Sequence, residues 1–292
     1  TCSLPIYLAA WLTRVPRRVY VVRGLRVEGS HGVAGGVLWL MERLTMALAT
    51  DIVFVSPSLA REAQRRHLIR AGRGWLVGAG SSNGVDAPAV ARRTTEVDPA
   101  VLRAALGFPP ETFVAGFVGR VAPDKGIDTL TRAMGNPTLD PRVRLLIIGK
   151  VEDPALMQQI AGLADRVRTV PWTDDVWGHL PAIDVLCLPT RREGFPNVVL
   201  EAAAAGVPAI VTKATGAIDS VVDGETGYLI DIDDDDALVD RLNALAAAPE
   251  LVAGLGTAAR SRAELEFAPD RIWQGVLGIT DGREASPDAH RV

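Results

Sequence analysis

Residues 183–212 read IDVLCLPTRREGFPNVVLEAAAAGVPAIVT, and this stretch decides the fold. An apolar run at 184–188 rich in branched side chains reads as a strand. The polar loop RREGFPN follows, then a helical segment from Asn197 to Ala205, then a second apolar strand at 209–211. Two strands joined by a helix in so short a span are parallel neighbours, and strands apolar on both faces are covered by helices on both sides. The same alternation runs outward in both directions. It predicts strands at 113–118, 144–148, 167–170 and 228–230 after it and before it, and at 19–23, 52–56 and 75–77 nearer the start. Helices are predicted near 37–49, 58–68, 236–247, 251–266 and 270–277. The fold class is α/β with parallel sheets, whose loops gather at the carboxyl edge, where open sheets of this class bind ligands.

The chain has 292 residues, enough for two domains at about 150 residues each. Hydrophobic residues are 48% and charged residues 23%, while 28 Gly and 19 Pro follow no fixed period; a disordered polymer and a collagen-like repeat are both excluded. Only two cysteines, Cys2 and Cys187, are present. They frame neither a disulfide scaffold nor a cysteine-built zinc site, and a reducing cytoplasm fits. The longest apolar stretches, 4–12 and 32–41, fall short of the roughly 20 residues of a membrane-spanning helix. Residues 80–99 are rich in Gly, Ser, Asn and Pro and poor in periodic apolar residues, so the domain junction is expected there. The expected division is 1–95, 96–279 and a frayed tail at 280–292.

The net charge of −4 is polarised: residues 1–80 hold 11 Arg against four acids, a balance of +7, leaving −11 for the remainder. A basic first segment suits an anionic membrane surface or an anionic acceptor. With three lysines among 31 basic residues, coding bias toward arginine accounts for it equally well.

Three loops carry candidate chemistry. The first runs from Gly119 through Arg120 and Lys125 to Gly126, after a strand and before a helix. A guanidinium, an ammonium and a helix N-terminus together suit a diphosphate, and glycine permits close backbone approach; an ordinary surface turn fits the same spacing. The second places Glu193 on the loop and Glu201 eight residues on, inside a helix where its side chain leans back toward the N-terminus. A carboxylate there can accept from ribose hydroxyls, and a glutamate in so apolar a helix needs a partner. The third, 213–218, reads as a ligand-facing loop or a plain turn. The run Asp233-Asp234-Asp235-Asp236 reads as helix-capping acids rather than a metal cluster. No histidine–cysteine or paired-histidine spacing suggests a metal ligand set.

The segments GRVAPDKG, VRLLIIGK, VRTVPWTDDV, IDVLCLPTRREGFPNVVLEAAAAGVPAIVT and VVDGETGYLI resemble, in order and spacing across 112–248, the donor-binding domain of glycosyltransferase family 4, retaining enzymes of the GT-B architecture. Upstream, VYVVRGLRVEG, LMERLTMALATDIVFVSPSLAREA and GAGSSNGVD are similar to the second half of that family's acceptor domain, especially in members that build bacterial surface polysaccharides. The resemblance implies two Rossmann-like domains, the first incomplete: the family's opening strand and glycine-rich loop have no counterpart ahead of Thr1, so an N-terminal truncation is expected. It implies that Arg120 and Lys125 hold the donor diphosphate, Glu201 the ribose, and Glu193 the donor sugar. Gly119, Gly194, Phe195, Pro196 and Asn197 would shape the phosphate and sugar site, and Val170 and Trp172 the base pocket. Where many members carry a histidine, this chain has Arg23, which cannot act as a general base but can bind an anionic acceptor or leaving group.

The expected function is therefore retaining transfer of a hexosyl or N-acetylhexosaminyl unit from a nucleotide diphosphate sugar, UDP-linked, to a hydroxyl of a lipid-linked or saccharide acceptor. No cofactor, no metal and no nucleic acid enter this expectation. Cytoplasmic placement is expected, with peripheral contact at the inner membrane face. Two alternatives stay open: a catalytically incomplete nucleotide-sugar binding fragment, and a sugar-nucleotide epimerase.

Overall fold

The computed structural model describes residues 3–163, 165–281 and 288–292; Cys2 and residues 282–287 of the tail lie outside them. The chain opens with helix α1 (Leu4–Leu12), apolar all round and packed on α2 (Gly32–Leu48), and strand β1 (Val19–Val22) lies between the two. Then come β2 (Asp51–Phe54), α3 (Pro57–Arg65) and β3 (Gly74–Val77). Strands β1, β2 and β3 are parallel, with Val19 opposite Asp51 and Ile52 opposite Gly74.

The stretch expected to be the junction is more ordered than its composition suggests. It contains helix α4 (Ala87–Thr95), whose start is fixed by Pro88 in its first turn and by Asp86, which accepts the Ala89 N–H at 2.9 Å. Helix α5 (Pro99–Ala105), capped by Asp98, follows it directly.

The second sheet is built from β4 (Phe113–Val118), α6 (Ile127–Gly135), β5 (Val143–Ile148), α7 (Pro154–Ala161), β6 (Val167–Val170), β7 (Val185–Leu188), α8 (Asn197–Ala204), β8 (Ala209–Thr212) and β9 (Gly227–Ile230). The strands lie in the order β6-β5-β4-β7-β8-β9 and all pairings are parallel. Val185 to Leu188 and Ala209 to Thr212 are buried throughout, as two covered faces require. Helices α9 (Asp235–Ala247) and α10 (Pro249–Glu266) complete this layer.

The C-terminus departs from expectation. Helix α11 (Pro269–Asp281) packs on β2 and β3 of the first sheet, where Ile272 and Ile279 meet Val53 and Val77. Gly275 allows this approach, since a Cβ there would lie 2.3 Å from Val77 Cγ1. Residues 269–281 therefore belong with the first unit rather than the second. The tail does not fray at its end: β10 (Ala289–Arg291) adds to β3 antiparallel, and Val292 exchanges backbone hydrogen bonds with Gly74 and Gly72. Arg291 also stacks over Trp75 at 3.6 Å, a cation–π contact that pins the edge strand.

The two units meet along a seam of polar contacts. Asp219 accepts from both the backbone N–H (2.8 Å) and the hydroxyl of Ser58, and Ser58 Oγ accepts the Gly216 N–H at 2.7 Å. Helix α4 packs on α8 and α10 of the second unit, and its Arg93 forks onto Asp175 there at 2.6 and 3.0 Å.

Candidate active site

The carboxyl ends of β4 and β7 are neighbours in the sheet, and their loops are locked together. Gly126 sits at φ +68°, and a Cβ there would lie 1.9 Å from the Pro189 carbonyl oxygen, so only glycine fits. The Asp124 carbonyl accepts the Arg191 N–H at 3.0 Å and the Thr190 hydroxyl at 3.1 Å. The Arg191 guanidinium reaches the Pro123 carbonyl and pairs with Asp128 and Asp233, each at 2.6 Å. Asp233 is thus a loop clamp. Asp234 is the helix cap, accepting the Ala237 N–H at 2.9 Å.

This scaffold brings Lys125 and Glu193 into a direct ion pair, with side chains only 15% and 16% exposed. Arg120 is more open and bonds Glu152 at 2.6 Å, with Asp124 at 3.6 Å. Arg192 has Asp124 at 3.9 Å. Arg120, Asp124, Lys125, Arg192 and Glu193 line one cleft of about 460 Å³ between the two sheets, closed on the far side by Tyr20, Arg23, Arg26, Glu28 and Glu42. Gly194 makes the closest crossing: a Cβ there would lie 2.0 Å from the Arg23 carbonyl oxygen. The third loop lies against the second. The Thr215 carbonyl accepts the Glu193 N–H at 2.9 Å, and Gly216, at φ +79°, would drive a Cβ to 2.4 Å from the Gly194 oxygen. Lys213 instead pairs with Asp231 at 2.9 Å, away from the cleft.

The remaining residues expected in the site divide. Phe195 is buried, 5.4 Å from the Phe267 ring, so it anchors the loop. Pro196 begins α8 without a side-chain cap, and the Asn197 Oδ1 is buried with no partner among the described residues. Glu201 does not line the cleft; it is half-buried within α8. Burial pushes its carboxyl above the ordinary glutamate range, partly offset by a hydrogen bond from Trp177. Val170 and Trp172 border a separate hollow of about 420 Å³ with Gly149, Lys150 and Met157, and Trp172 is 66% exposed. Gly119 lines neither space; its carbonyl oxygen packs behind the hollow, where a Cβ on Gly149 would lie 1.9 Å from it.

The sequence alone gives no site role to Tyr20, Arg26, Glu28, Glu42, Asp124 or Arg192, all of which line the cleft. Glu42 left a signal, being a lone acid in an apolar helical stretch. It is 8% exposed and accepts the Arg26 N–H at 2.6 Å, and burial raises its carboxyl pKa. Among the described residues no cluster of three His, Cys, Asp or Glu side chains is arranged to hold a metal. Cys187 is buried, which pushes its thiol up to about 12, and it takes no part.

Residues 112–248 match the family model described as glycosyl transferases group 1. The capsular polysaccharide biosynthesis glycosyltransferase CapM of Staphylococcus aureus is 34% identical over 272 residues, which is 91% of this chain and 70% of that protein. The chain belongs to the group 1 glycosyltransferases. A D-inositol 3-phosphate glycosyltransferase of Streptomyces scabiei is 33% identical over 180 residues, 56% of this chain and 40% of that one. Among solved structures, Anabaena Alr3699/HepE in complex with UDP superposes with a TM-score of 0.81 at 21% identity, covering 96% of this chain and 76% of that one. WaaG, a glycosyltransferase involved in lipopolysaccharide biosynthesis, gives 0.74 at 17%, covering 95% and 81%. The fold of this glycosyltransferase is thus the GT-B type, two Rossmann-like units facing across a cleft. No single helix among its described residues is long and apolar enough to cross a membrane.

Proposed function

We propose that this glycosyltransferase belongs to family 4 and transfers a hexosyl or N-acetylhexosaminyl unit, with retention, from a UDP-sugar to a hydroxyl of a lipid-linked or saccharide acceptor in surface polysaccharide synthesis. One observation carries the proposal: Arg120, Lys125 and Glu193, from two loops 68 residues apart in sequence, share a cleft at the carboxyl edge of the second sheet and face Arg23 of the first. The similarity to CapM and to UDP-bound HepE supports the polysaccharide and UDP parts of the reading.

The chemistry follows from charge. As the sugar–phosphate bond breaks, negative charge grows on the leaving diphosphate. Arg120, Lys125 and the uncapped amides at the start of α8 stabilise that charge more in the transition state than in the ground state. In this reading no metal ion takes part. Lys125 exchanges Glu193 for phosphate, which frees the Glu193 carboxylate to accept from donor-sugar hydroxyls. The departing phosphate oxygen, held on one face of the sugar, takes the acceptor's proton, so no protein nucleophile is required. Glu201 accepts from the ribose, and Val170 and Trp172 flank the base. Arg23 faces the acceptor. Closure along the Ser58–Asp219 seam limits water.

Release of free UDP from donor plus acceptor, lost in Lys125→Ala and Glu201→Ala, is the expected outcome; unchanged rates in both contradict it. Because the chain spans 70% of CapM, donor binding without turnover would favour the reading as a nucleotide-sugar binding fragment. We place the enzyme at the cytoplasmic membrane face through the exposed Ile6, Trp11, Val33 and Val37 beside Arg14 and Arg17; vesicle flotation without salt-sensitive binding would exclude this.

A further inference from the structure

The cleft holds more positive charge than one diphosphate uses. Lys125 is matched by Glu193 and Arg120 by Glu152 at 2.6 Å. Three further arginines lie on the same cleft. Among the described residues the Arg23 guanidinium donates only to the neutral Asn83 side-chain oxygen, at 3.3 Å. Arg26 has no carboxylate within ion-pair distance among the described residues. Arg192 comes no nearer to an acid than 3.9 Å, and that acid, Asp124, is shared with Arg120 at 3.6 Å. Two acids stand beside these arginines and offset them only in part: Glu42 accepts the Arg26 backbone N–H at 2.6 Å and attracts its guanidinium, and Glu28 bonds the Thr215 side chain and attracts Arg192, but neither closes to a direct ion pair.

The three arginines converge because the two units touch where they stand. The Arg192 guanidinium reaches over the first unit, its Nη1 2.8 Å from where a Gly29 Cβ would be, and so sits on the turn Arg26–Gly29. Two residues on, Gly194 lies against the Arg23 carbonyl. Like charges gathered on a shared cavity repel one another until an anion arrives, and planar guanidinium forks match oxyanions in geometry as well as charge.

We infer that Arg23, Arg26 and Arg192 form a second anion subsite, distinct from the donor diphosphate site, that takes an oxyanion carried by the other end of the reaction: a phosphoryl group on the acceptor. This rests on the proposed reading of Arg120 and Lys125 as the donor diphosphate site. A carboxylate on the donor sugar offers the same oxyanion chemistry, and the experiment separates the two sources.

Calorimetry on the full chain saturated with UDP, titrated with glucose 1-phosphate and with methyl glucoside, is the test. The phosphorylated probe should bind at least about tenfold more tightly, as expected for charge-assisted hydrogen bonds. Arg26→Ala and Arg192→Ala should each lose about five- to tenfold of that affinity, with UDP affinity within about twofold of the parent, which also reports that they fold. Arg192→Lys should recover part of it. Equal binding of the two probes, or undiminished binding by both alanine variants, overturns the subsite. In a second arm, UDP-glucuronate binding about tenfold tighter than UDP-glucose, with the preference erased in Arg192→Ala, supports the subsite and assigns its oxyanion to the donor sugar. If UDP itself does not bind, the donor-site reading falls separately. Glucose 1-phosphate binding that survives Lys125→Ala but not Arg192→Ala would then still support the subsite, and the reverse pattern would overturn it.

Discussion

The backbone of Gly194 rests against the carbonyl oxygen of Arg23, so close that a Cβ on Gly194 would lie 2.0 Å from it. This contact joins the donor-side loop to the first sheet's edge with no room for a side chain. Gly194→Ala should therefore part the two units locally, at a cost of about 1–3 kcal/mol as in other overpacked sites. Turnover should fall by at least an order of magnitude, because small displacements of reacting groups cost heavily. Steady-state kinetics beside a thermal melt check both; wild-type turnover with unchanged stability would contradict the close approach.

The Lys125–Glu193 pair is largely withdrawn from water. Removing the cation alone leaves a half-desolvated carboxylate, so Lys125→Ala should lose about 1–3 kcal/mol of stability, below the range for fully buried pairs. The double variant Lys125→Ala with Glu193→Gln should regain most of that stability without regaining donor binding. Urea denaturation of the two variants, read beside UDP affinity, separates the structural role from the binding role.

Glu201 gives a pH signature. Burial raises its pKa in the folded chain, so the folded state holds the proton to higher pH than the unfolded chain does. Its contribution to stability is then most favourable below the ordinary glutamate pKa and is lost as pH rises through the raised value. Glu201→Gln should consequently be more stable than the parent at neutral pH, with the difference shrinking toward pH 4, while binding donor more weakly. Donor affinity of the parent should fall on acidification earlier than an ordinary glutamate would cause, since only the carboxylate accepts both ribose hydroxyls. Melts and UDP titrations across pH 4–8 test both trends.

At the seam, the Ser58 hydroxyl serves Asp219 and the Gly216 N–H together. Ser58→Ala leaves the Gly216 N–H without its acceptor and removes one of the donors to Asp219, which keeps the Ser58 backbone N–H; about 1–3 kcal/mol is expected. Because Gly216 packs against Glu193 and Gly194, KM for the donor should rise as well. A Ser58→Ala chain matching the parent in both stability and KM would show that the seam carries no coupling.

The second sheet was legible because its strands are short, mostly apolar runs ending in Gly, Pro or a polar residue: Phe113–Val118 is apolar throughout, and Val167–Val170, though interrupted by Arg168 and Thr169, is closed by Pro171. What escaped had no local pattern. Helix α1 is apolar on every side and so shows no 3.6-residue stripe. Strand β10, Ala289–Arg291, has little β-forming character and is held by a partner more than 200 residues away in sequence. Helix α4 hid in a stretch whose composition resembles a linker, and the cap at Asp86 was the missed sign. In the site, the loops announced Arg120, Lys125 and Glu193 through their positions after strands. Arg26 and Glu42 belong to the cleft only because the first unit folds against the second, a relationship that no single segment encodes.

Whether Lys125 and Arg120 grip the diphosphate of a UDP-sugar is decided by titrating UDP into the parent chain and into Lys125→Ala and Arg120→Ala by calorimetry. The parent should bind UDP, and each variant should bind it at least about tenfold more weakly, as loss of a charge-assisted contact implies. Equal UDP affinity in all three proteins, or no binding to a folded parent, would contradict this grip.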